Sequence, residues 1–407
     1  MHRLSVVDEM FLRSHRGLGT PIVMQGLWRF DGDLDDALLT AVHERLASGP
    51  LGRRVRRSAI PGARPYWVAD REAIPLVRHG QSIDDVFAWA NAQATNLDPS
   101  RGPGWRLSTA STADAGTVVS IVCSHVLSDA RGLVSAVDAA LTGAPEETSE
   151  YRRTSNWADA AHTWAMVARN FRPRAVPHTE PRPRRGETDV VDVAAAVDVS
   201  AEHWDRAAAA DGGTANSLFV AIVTGMLRSS GALPADASIS AAVPIDTRAS
   251  TWIGNAMAMA QVDVGPQDDL AAIRATARDA FTRPMSAPPG IPDELLQVVP
   301  DRLAYLMARG SGERDVLCSN IGTVPPSLSM LGDRRSTGVA MRAVHPGLTS
   351  AHLRRLRTRL SGYLCRNGAV YTLTLVGLDP RHIASGPALV ALADHELTRW
   401  GLRGRWW

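Results

Sequence analysis

The sequence predicts an α/β layered fold in two domains, and three observations lead there. Segments of strand and helix character alternate through both halves of the chain. At 407 residues the chain is longer than one hydrophobic core usually organises. Between Phe171 and Gly186 the run Arg-Pro-Arg-Ala-Val-Pro-His-Thr-Glu-Pro-Arg-Pro-Arg-Arg interrupts both patterns. Its prolines forbid regular helix, it has no apolar periodicity to bury, and its charges favour an extended strap. The chain therefore divides into 1–170, a crossover at 171–187, and 188–407. The arginines of the crossover are either a solvated linker's charges or a contact for an anionic partner.

Each element has its own local reason. Val23 to Phe30 reads as a strand. Leu34, Leu38, Leu39, Val42 and Leu46 then recur on one face behind Asp33, a plausible cap, which gives a helix of about four turns. Asp84 to Thr95 is a second helix. Gly116 to Cys123 is short, β-branched and apolar, as an interior strand should be, and Leu133 to Leu141 is a helix packing back onto it. Asn156 to Asn170 is a further helix. Beyond the crossover, Asp189 to Val199 is a strand, and Thr214 to Leu227 is a helix with Leu218, Ile222, Gly225 and Met226 on one side. Ser238 to Val243 is a strand leading into Pro244-Ile245-Asp246-Thr247-Arg248. Ala256 to Val264 is another, succeeded by a helix from Asp268 to Phe281 and a loop from Pro284 to Pro292. Arg357 to Cys365 and Ala369 to Gly377 flank Asn367-Gly368, a pair suited to a tight hairpin turn. Ser385 to Trp400 closes as a helix, and no fixed repeat period runs through the chain.

Composition removes several functional classes. With 45% hydrophobic and 21% charged residues the chain has the balance of a soluble globular protein. No segment approaches the roughly 18 uninterrupted apolar residues of a membrane span, and Met1-His2-Arg3-Leu4-Ser5 has no secretory core, so a cytoplasmic location is expected. Cys123, Cys318 and Cys365 are too few and too scattered for a disulfide framework or a zinc site, so reduced thiols are expected. A net charge of +2, with aromatics not interleaved among basic residues, gives no nucleic-acid platform. All 44 basic residues are Arg. Without lysine there is neither a Schiff-base amine nor a P-loop lysine, and no G-x-G-x-x-G succeeds a strand. No tightly bound cofactor is expected.

The segment Ser124-His125-Val126-Leu127-Ser128-Asp129-Ala130-Arg131-Gly132 carries the chemistry. Taken alone, His125 and Asp129 are a spacing that chance supplies, and His125 reads either as a loop histidine bonded to backbone or as a catalytic base. Its setting is more informative, because it lies directly after the apolar strand. Four other regions accompany it in order: Leu4-Ser5-Val6-Val7-Asp8-Glu9-Met10-Phe11-Leu12 with Thr20-Pro21, Asn96-Leu97-Asp98-Pro99 to Gly104-Trp105-Arg106-Leu107, Val243-Pro244 to Arg248 with Gly254-Asn255, and Ser319-Asn320-Ile321-Gly322. Together these regions resemble the wax ester synthase/diacylglycerol acyltransferase family. That family lies within the wider superfamily of chloramphenicol acetyltransferases, polyketide-associated acyltransferases and condensation domains, and the resemblance spans nearly the whole chain.

The resemblance implies two pseudo-symmetric chloramphenicol acetyltransferase-like domains of mixed sheets and helices with a channel between them. It also implies transfer of an acyl group from acyl-CoA or a phosphopantetheinyl carrier protein to a hydroxyl. The second His of the family's His-His-x-x-x-Asp-Gly motif falls on His125, which becomes the general base. An alcohol attacking a thioester needs such a base, and a neutral imidazole suits the task near pH 7. Asp129 needs pairing in a loop beneath the channel, and Arg248 is its expected partner, a bidentate pair that ties the second domain to the active loop in an architectural role. Asn320 or the Ser319 hydroxyl is expected to face the tetrahedral oxygen; Asn255 either assists or fixes a loop. Ser124, Gly132 and Asn255 are placed near substrate.

Two positions depart from the family pattern. Ser124 stands at the first His, and Ala130 at the Gly after Asp. Ala130 carries a cost of about 1 kcal/mol if that backbone is left-handed, with Gly132 available to supply the freedom instead. Two alternatives arise: a free-standing condensation enzyme forming an amide from a carrier-bound acyl group, or a docking homologue without catalysis. His15, His43, His79, His162, His345 and His352 read as surface or structural residues. The runs Arg53-Arg54, Arg56-Arg57 and Arg354-Arg355, Arg357, Arg359 read as solvated faces or as contacts for coenzyme A phosphates or an acidic carrier helix. Trp406-Trp407 reads as a docked or frayed terminus, or as a residue pair grazing a membrane interface.

Overall fold

A computed structural model describes residues 2–18, 21–70, 72–143, 155–170, 193–248, 254–283, 293–300, 313–354 and 356–407. The crossover at 171–187, the start of the strand expected from Asp189, the loop at 284–292, Thr20 and Arg355 lie outside the described residues.

In the first half the order is β1 (His2–Arg3), α1 (Val6–Leu18), β2 (Val23–Asp31), α2 (Asp36–Ser48), β3 (Arg53–Arg56), β4 (Tyr66–Ala69), β5 (Val77–Ile83), α3 (Val86–Gln93), β6 (Trp105–Thr112), β7 (Gly116–Ser124), α4 (Ala130–Thr142) and α5 (Asn156–Asn170). The second half continues with β8 (Val193–Ser200), α6 (Ala201–Ala210), α7 (Ala215–Ser229), β9 (Ile239–Asp246), β10 (Met257–Val264), α8 (Leu270–Phe281), α9 (Asp293–Val298) and β11 (Val316–Thr323). A 3₁₀ turn at Pro326–Ser329 precedes β12 (Met330–Leu331), β13 (Arg334–Val344), α10 (Ser350–Leu353), β14 (Leu360–Asn367), β15 (Val370–Gly377), α11 (Gly386–Arg399) and β16 (Gly404–Trp406).

Two large mixed sheets organise these elements. The first has six strands in the order β12-β13-β2-β7-β6-β5, and the second has seven in the order β10-β9-β11-β14-β15-β8-β16. A small sheet, β1-β4-β3, flanks the first. β7 is interior, and every one of its residues is buried, as its unbroken apolar run requires. Leu39, Val42 and Leu46 of α2 and Leu133, Val134 and Val137 of α4 share one apolar cluster with Trp28, Ile121 and Cys123 of that sheet. A separate cluster joins Leu218, Phe219, Ile222 and Val223 of α7 to Val197, Val243, Leu364 and Leu373 of the second sheet.

Three local expectations need correction. The cap of α2 is Asp35, whose side chain accepts from Ala37 N; with Asp33, Asp35 and Asp36 so close, composition alone does not choose among them. The hairpin turn is Gly368-Ala369, one residue later than expected, since Asn367 pairs with Val370 and Gly368 takes the left-handed φ of +58°. Strand β13, which the sequence reading did not anticipate, comes from the second half of the chain but completes the first sheet by pairing antiparallel with β2 from Val344↔Val23 to Ser336↔Phe30. Residues 330–344 therefore belong structurally with the first lobe, whereas a division at 171–187 assigns them to the second. Its Val339 and Met341 join Tyr363, Cys365 and Val376 of the second sheet in one cluster, so β13 lies at the seam between the lobes.

Candidate active site

Strand β7 delivers His125 to the seam, and helix α4 anchors the far end of the His125–Asp129 turn. At the end of β7, Ser124 N donates to Gly104 O at 2.7 Å, and His125 N donates to Ile22 O at 2.8 Å. Val126 N donates to the Ser124 hydroxyl at 3.3 Å, and Leu127 N to Ser124 O at 2.8 Å. Ser124 therefore closes the turn with its own side chain, a local motif that short hydroxyl residues favour. It is buried.

The His125 ring is held from two sides. Phe11 of α1 stacks on it, with ring centroids 3.6 Å apart and planes 17° from parallel. Asn255, from the segment leading into β10, lies with Oδ1 3.1 Å from His125 Nδ1. The orientation of that amide is fixed, because Asn255 Nδ2 donates to Asp8 Oδ1 at 2.8 Å, to His125 O at 2.8 Å and to Val126 O at 3.3 Å. Oδ1 is thus the acceptor and His125 Nδ1 carries the proton, which leaves the lone pair on Nε2. No hydrogen bond engages Nε2 among the described residues, and His125 keeps 8% of its surface open. Burial holds the imidazole below its ordinary value, while the nearby Asp129 charge pulls the other way. The ring is neutral near pH 7. Burial also pushes the Asp8 carboxyl up, against the hydrogen bonds from Asn255 and Ser5.

Asp129 is a joint between lobes. Its Oδ1 accepts from Gly132 N at 2.9 Å, which makes it the cap of α4, and from Arg248 Nη2 at 2.5 Å. Its Oδ2 accepts from Ala256 N at 3.0 Å. Arg248 also donates to Gly254 O at 2.7 Å and to Asp246 Oδ1 at 2.8 Å. The expected Asp129–Arg248 contact is present, and it is not bidentate: the guanidinium divides itself between two carboxylates and a carbonyl. Ala130 opens α4 without a left-handed backbone, so its methyl group carries no conformational cost. Gly132 is not left-handed either, and its contribution is room. A methyl group there would collide with the Ser128 hydroxyl and come 3.1 Å from Gly254 O.

The remaining expected residues separate. Ser319 of β11 is half-buried, in register with Tyr363, on the side of the strand where Leu317 packs against the first lobe's cluster. Asn320 is exposed; its Nδ2 donates to Asn216 Oδ1 at 3.0 Å and its Oδ1 accepts from Gly322 N at 2.9 Å, tying β11 to the start of α7. Gly322, with φ +80°, approaches the guanidinium of Arg131 on α4, where a Cβ would come within 2.9 Å.

The arginine runs are largely committed within the protein. Arg53 donates to Leu127 O at 2.7 Å and stacks over Trp67, while Arg357 and Arg359 pair with Asp315 and Asp379. Trp406 Nε1 donates to Asp394 and Trp407 packs against Gly338, so the C-terminal tryptophans are docked. The three thiols are buried and pushed up by burial, which disfavours the thiolate a nucleophile needs.

Sequence reasoning missed the supporting groups Asp8 and Phe11, although both lie in the N-terminal motif. It also read His345 as structural or surface. The structure puts His345 at the end of β13, where burial and the neighbouring His125 lower its imidazole to about 4. It lines a narrow cavity between the lobes with Val193 and Ala194 of β8, Leu348, Leu353 and Val376. The available signal was its setting: like His125, it comes directly after an apolar strand.

No protein-family profile matches the sequence, and no curated protein matches it. Solved structures do match. The first condensation domain of the CDA synthetase superposes with a TM-score of 0.62 at 15% identity, over 98% of this chain and 95% of that one. Wax ester synthase/diacylglycerol acyltransferase from Marinobacter aquaeolei VT8 gives 0.58 at 17% identity, over 98% of both chains. Polyketide synthase associated protein 5 from Mycobacterium tuberculosis gives 0.59 at 15% identity, also over 98% of both. The chain has the two-lobed, mixed-sheet fold that these condensation and acyltransferase structures share.

Proposed function

We propose that the chain is an acyltransferase that moves an acyl group from a coenzyme A or carrier-protein thioester onto a hydroxyl, with His125 as general base. The observation that supports this most is the fixed ring: Nδ1 donates to Asn255 and Nε2 stands free. In this reading Nε2 takes the hydroxyl proton as the oxygen attacks the thioester carbonyl. The tetrahedral adduct collapses by breaking the C–S bond, and the departing thiolate takes the proton from the imidazolium, leaving ester and thiol. No acyl-enzyme is required, since the thioester is already activated. Asp129 does not act as a second base, because both its oxygens are engaged. Ser319 is the candidate donor to the tetrahedral oxygen, being half-buried on the face of β11 that looks toward the first lobe.

The condensation-domain likeness favours a second reading, amide formation from a carrier-bound acyl group. Mass spectrometry of products from acyl-CoA donors of graded chain length, incubated with pooled alcohols and amines, separates the two. Ester is the expected product, and His125→Ala is expected to lower its formation about 10²- to 10⁴-fold. Amide in place of ester supports the second reading. Product formation undiminished in His125→Ala removes the mechanism, and no product from any pair points to a docking protein.

A further inference from the structure

Two histidines, drawn from strands far apart in sequence, end in the same rank of the first sheet. Val23 pairs with Ser124 on β7 and with Val344 on β13. Directly past this last paired rank come His125, Ile22 and His345, and His125 N is bonded to Ile22 O at 2.8 Å. If each chain keeps its direction for one residue past the strand, the two histidines leave the sheet on one face. Two residues back on that face, Cys123 of β7 and Ala343 of β13 both belong to the cluster that reaches the second lobe. With strands about 4.8 Å apart, positions at this level of β7 and β13 are roughly 10 Å apart at Cα, and the two imidazoles are near enough for the charge of one to act on the other.

The surroundings of His345 leave room for a ligand. Its cavity is otherwise mostly aliphatic. Arg342 also lines it, but that guanidinium is committed to Gln25 and Asn91. No hydrogen bond engages either imidazole nitrogen of His345 among the described residues. The ring is half-buried, so its nitrogens are open to a partner that enters the cavity.

We infer that His345 binds the acceptor: its imidazole hydrogen-bonds the hydroxyl or amine that His125 deprotonates and holds it between the two rings. This rests on the acyl-transfer reading. The ring stays neutral through physiological pH, so it offers an N–H or a lone pair without competing for the transferred proton.

Two measurements on the full chain test the inference separately from that reading. The first tracks His345 against pH by NMR of ¹³C-labelled histidine, with His345→Gln assigning the signal. His125→Gln is expected to raise the titration of His345 by half a unit or more, because a neighbouring positive charge is gone; an unmoved titration overturns the pairing. The second uses hexanoyl-CoA as donor and 1-hexanol as acceptor, read as thiol release. His345→Leu is expected to raise KM for hexanol about tenfold with kcat nearly unchanged, and His345→Gln, which keeps a hydrogen-bonding head, to recover most of it. An unchanged KM in His345→Leu overturns the inference. A wild type that releases no thiol from any donor instead removes the acyl-transfer reading, and the titration then decides the pairing alone.

Discussion

At the scale of single residues, the proposed chemistry turns on which nitrogen of His125 is bare. Asn255 settles that, so Asn255→Ala is expected to lower kcat about tenfold or more while leaving KM close to wild type, since the ring then samples the wrong tautomer. Steady-state kinetics against pH check it. Because burial lowers the His125 pKa, the base stays neutral below its ordinary 6.5, and the acid limb of kcat/KM is expected to fall below that value in the wild type. The contact of Asp129 with Arg248 close to His125 was legible because residue type and motif position constrain it. Asn255 reads from sequence as fixing a loop or aiding the oxyanion, since one sequence does not show what a side chain touches. Asp8 and Phe11 carry no readable role there because the face of α1 that meets His125 is set by tertiary packing.

Secondary-structure elements give the site its rigidity. Asp129 caps α4, accepts Ala256 N from the segment entering β10, and pairs with Arg248, with the two side chains only 8% and 9% exposed. Asp129→Ala removes all three contacts and strands a buried guanidinium, with Asp246 and Gly254 O as partial substitutes. The expected loss is about 3 kcal/mol, the low end for breaking a buried pair. It is read as a shift in the urea midpoint at constant slope, and a loss under about 1 kcal/mol contradicts the assignment. Long elements with one strong periodicity were the readable ones: Asn156–Asn170 has the bounds its pattern suggests. The cap at Asp35 and the turn at Gly368-Ala369 each moved by a residue or two, because adjacent residues of equal propensity leave the choice to packing.

Across the whole molecule, the two lobes are stitched rather than merely apposed. β13 crosses from the second half of the chain into the first sheet, and Trp407, just past β16 on the second sheet, packs against Gly338 of β13 beneath Arg29 of β2. Alternation of strands and helices made the two-layered α/β class readable. It did not reveal which sheet a strand joins, since an apolar strand of period two fits either, and so β13 and the placement of His345 near His125 went unseen. Burial also gives stability a pH slope. Below pH 6.5 the unfolded chain takes up protons that His125 and His345 resist in the fold, so their contribution erodes as pH falls from about 6.5 toward 4. The claim on which all of this rests is that Asn255 of the second lobe fixes the Nδ1–H tautomer of His125 of the first, with Nε2 bare, while burial keeps the ring neutral. The ¹⁵N shifts of His125 in the intact protein read it directly: at pH 7, Nδ1 is expected to be protonated and Nε2 bare, with titration below 6.5, whereas an Nε2–H tautomer or titration above 6.5 would contradict it.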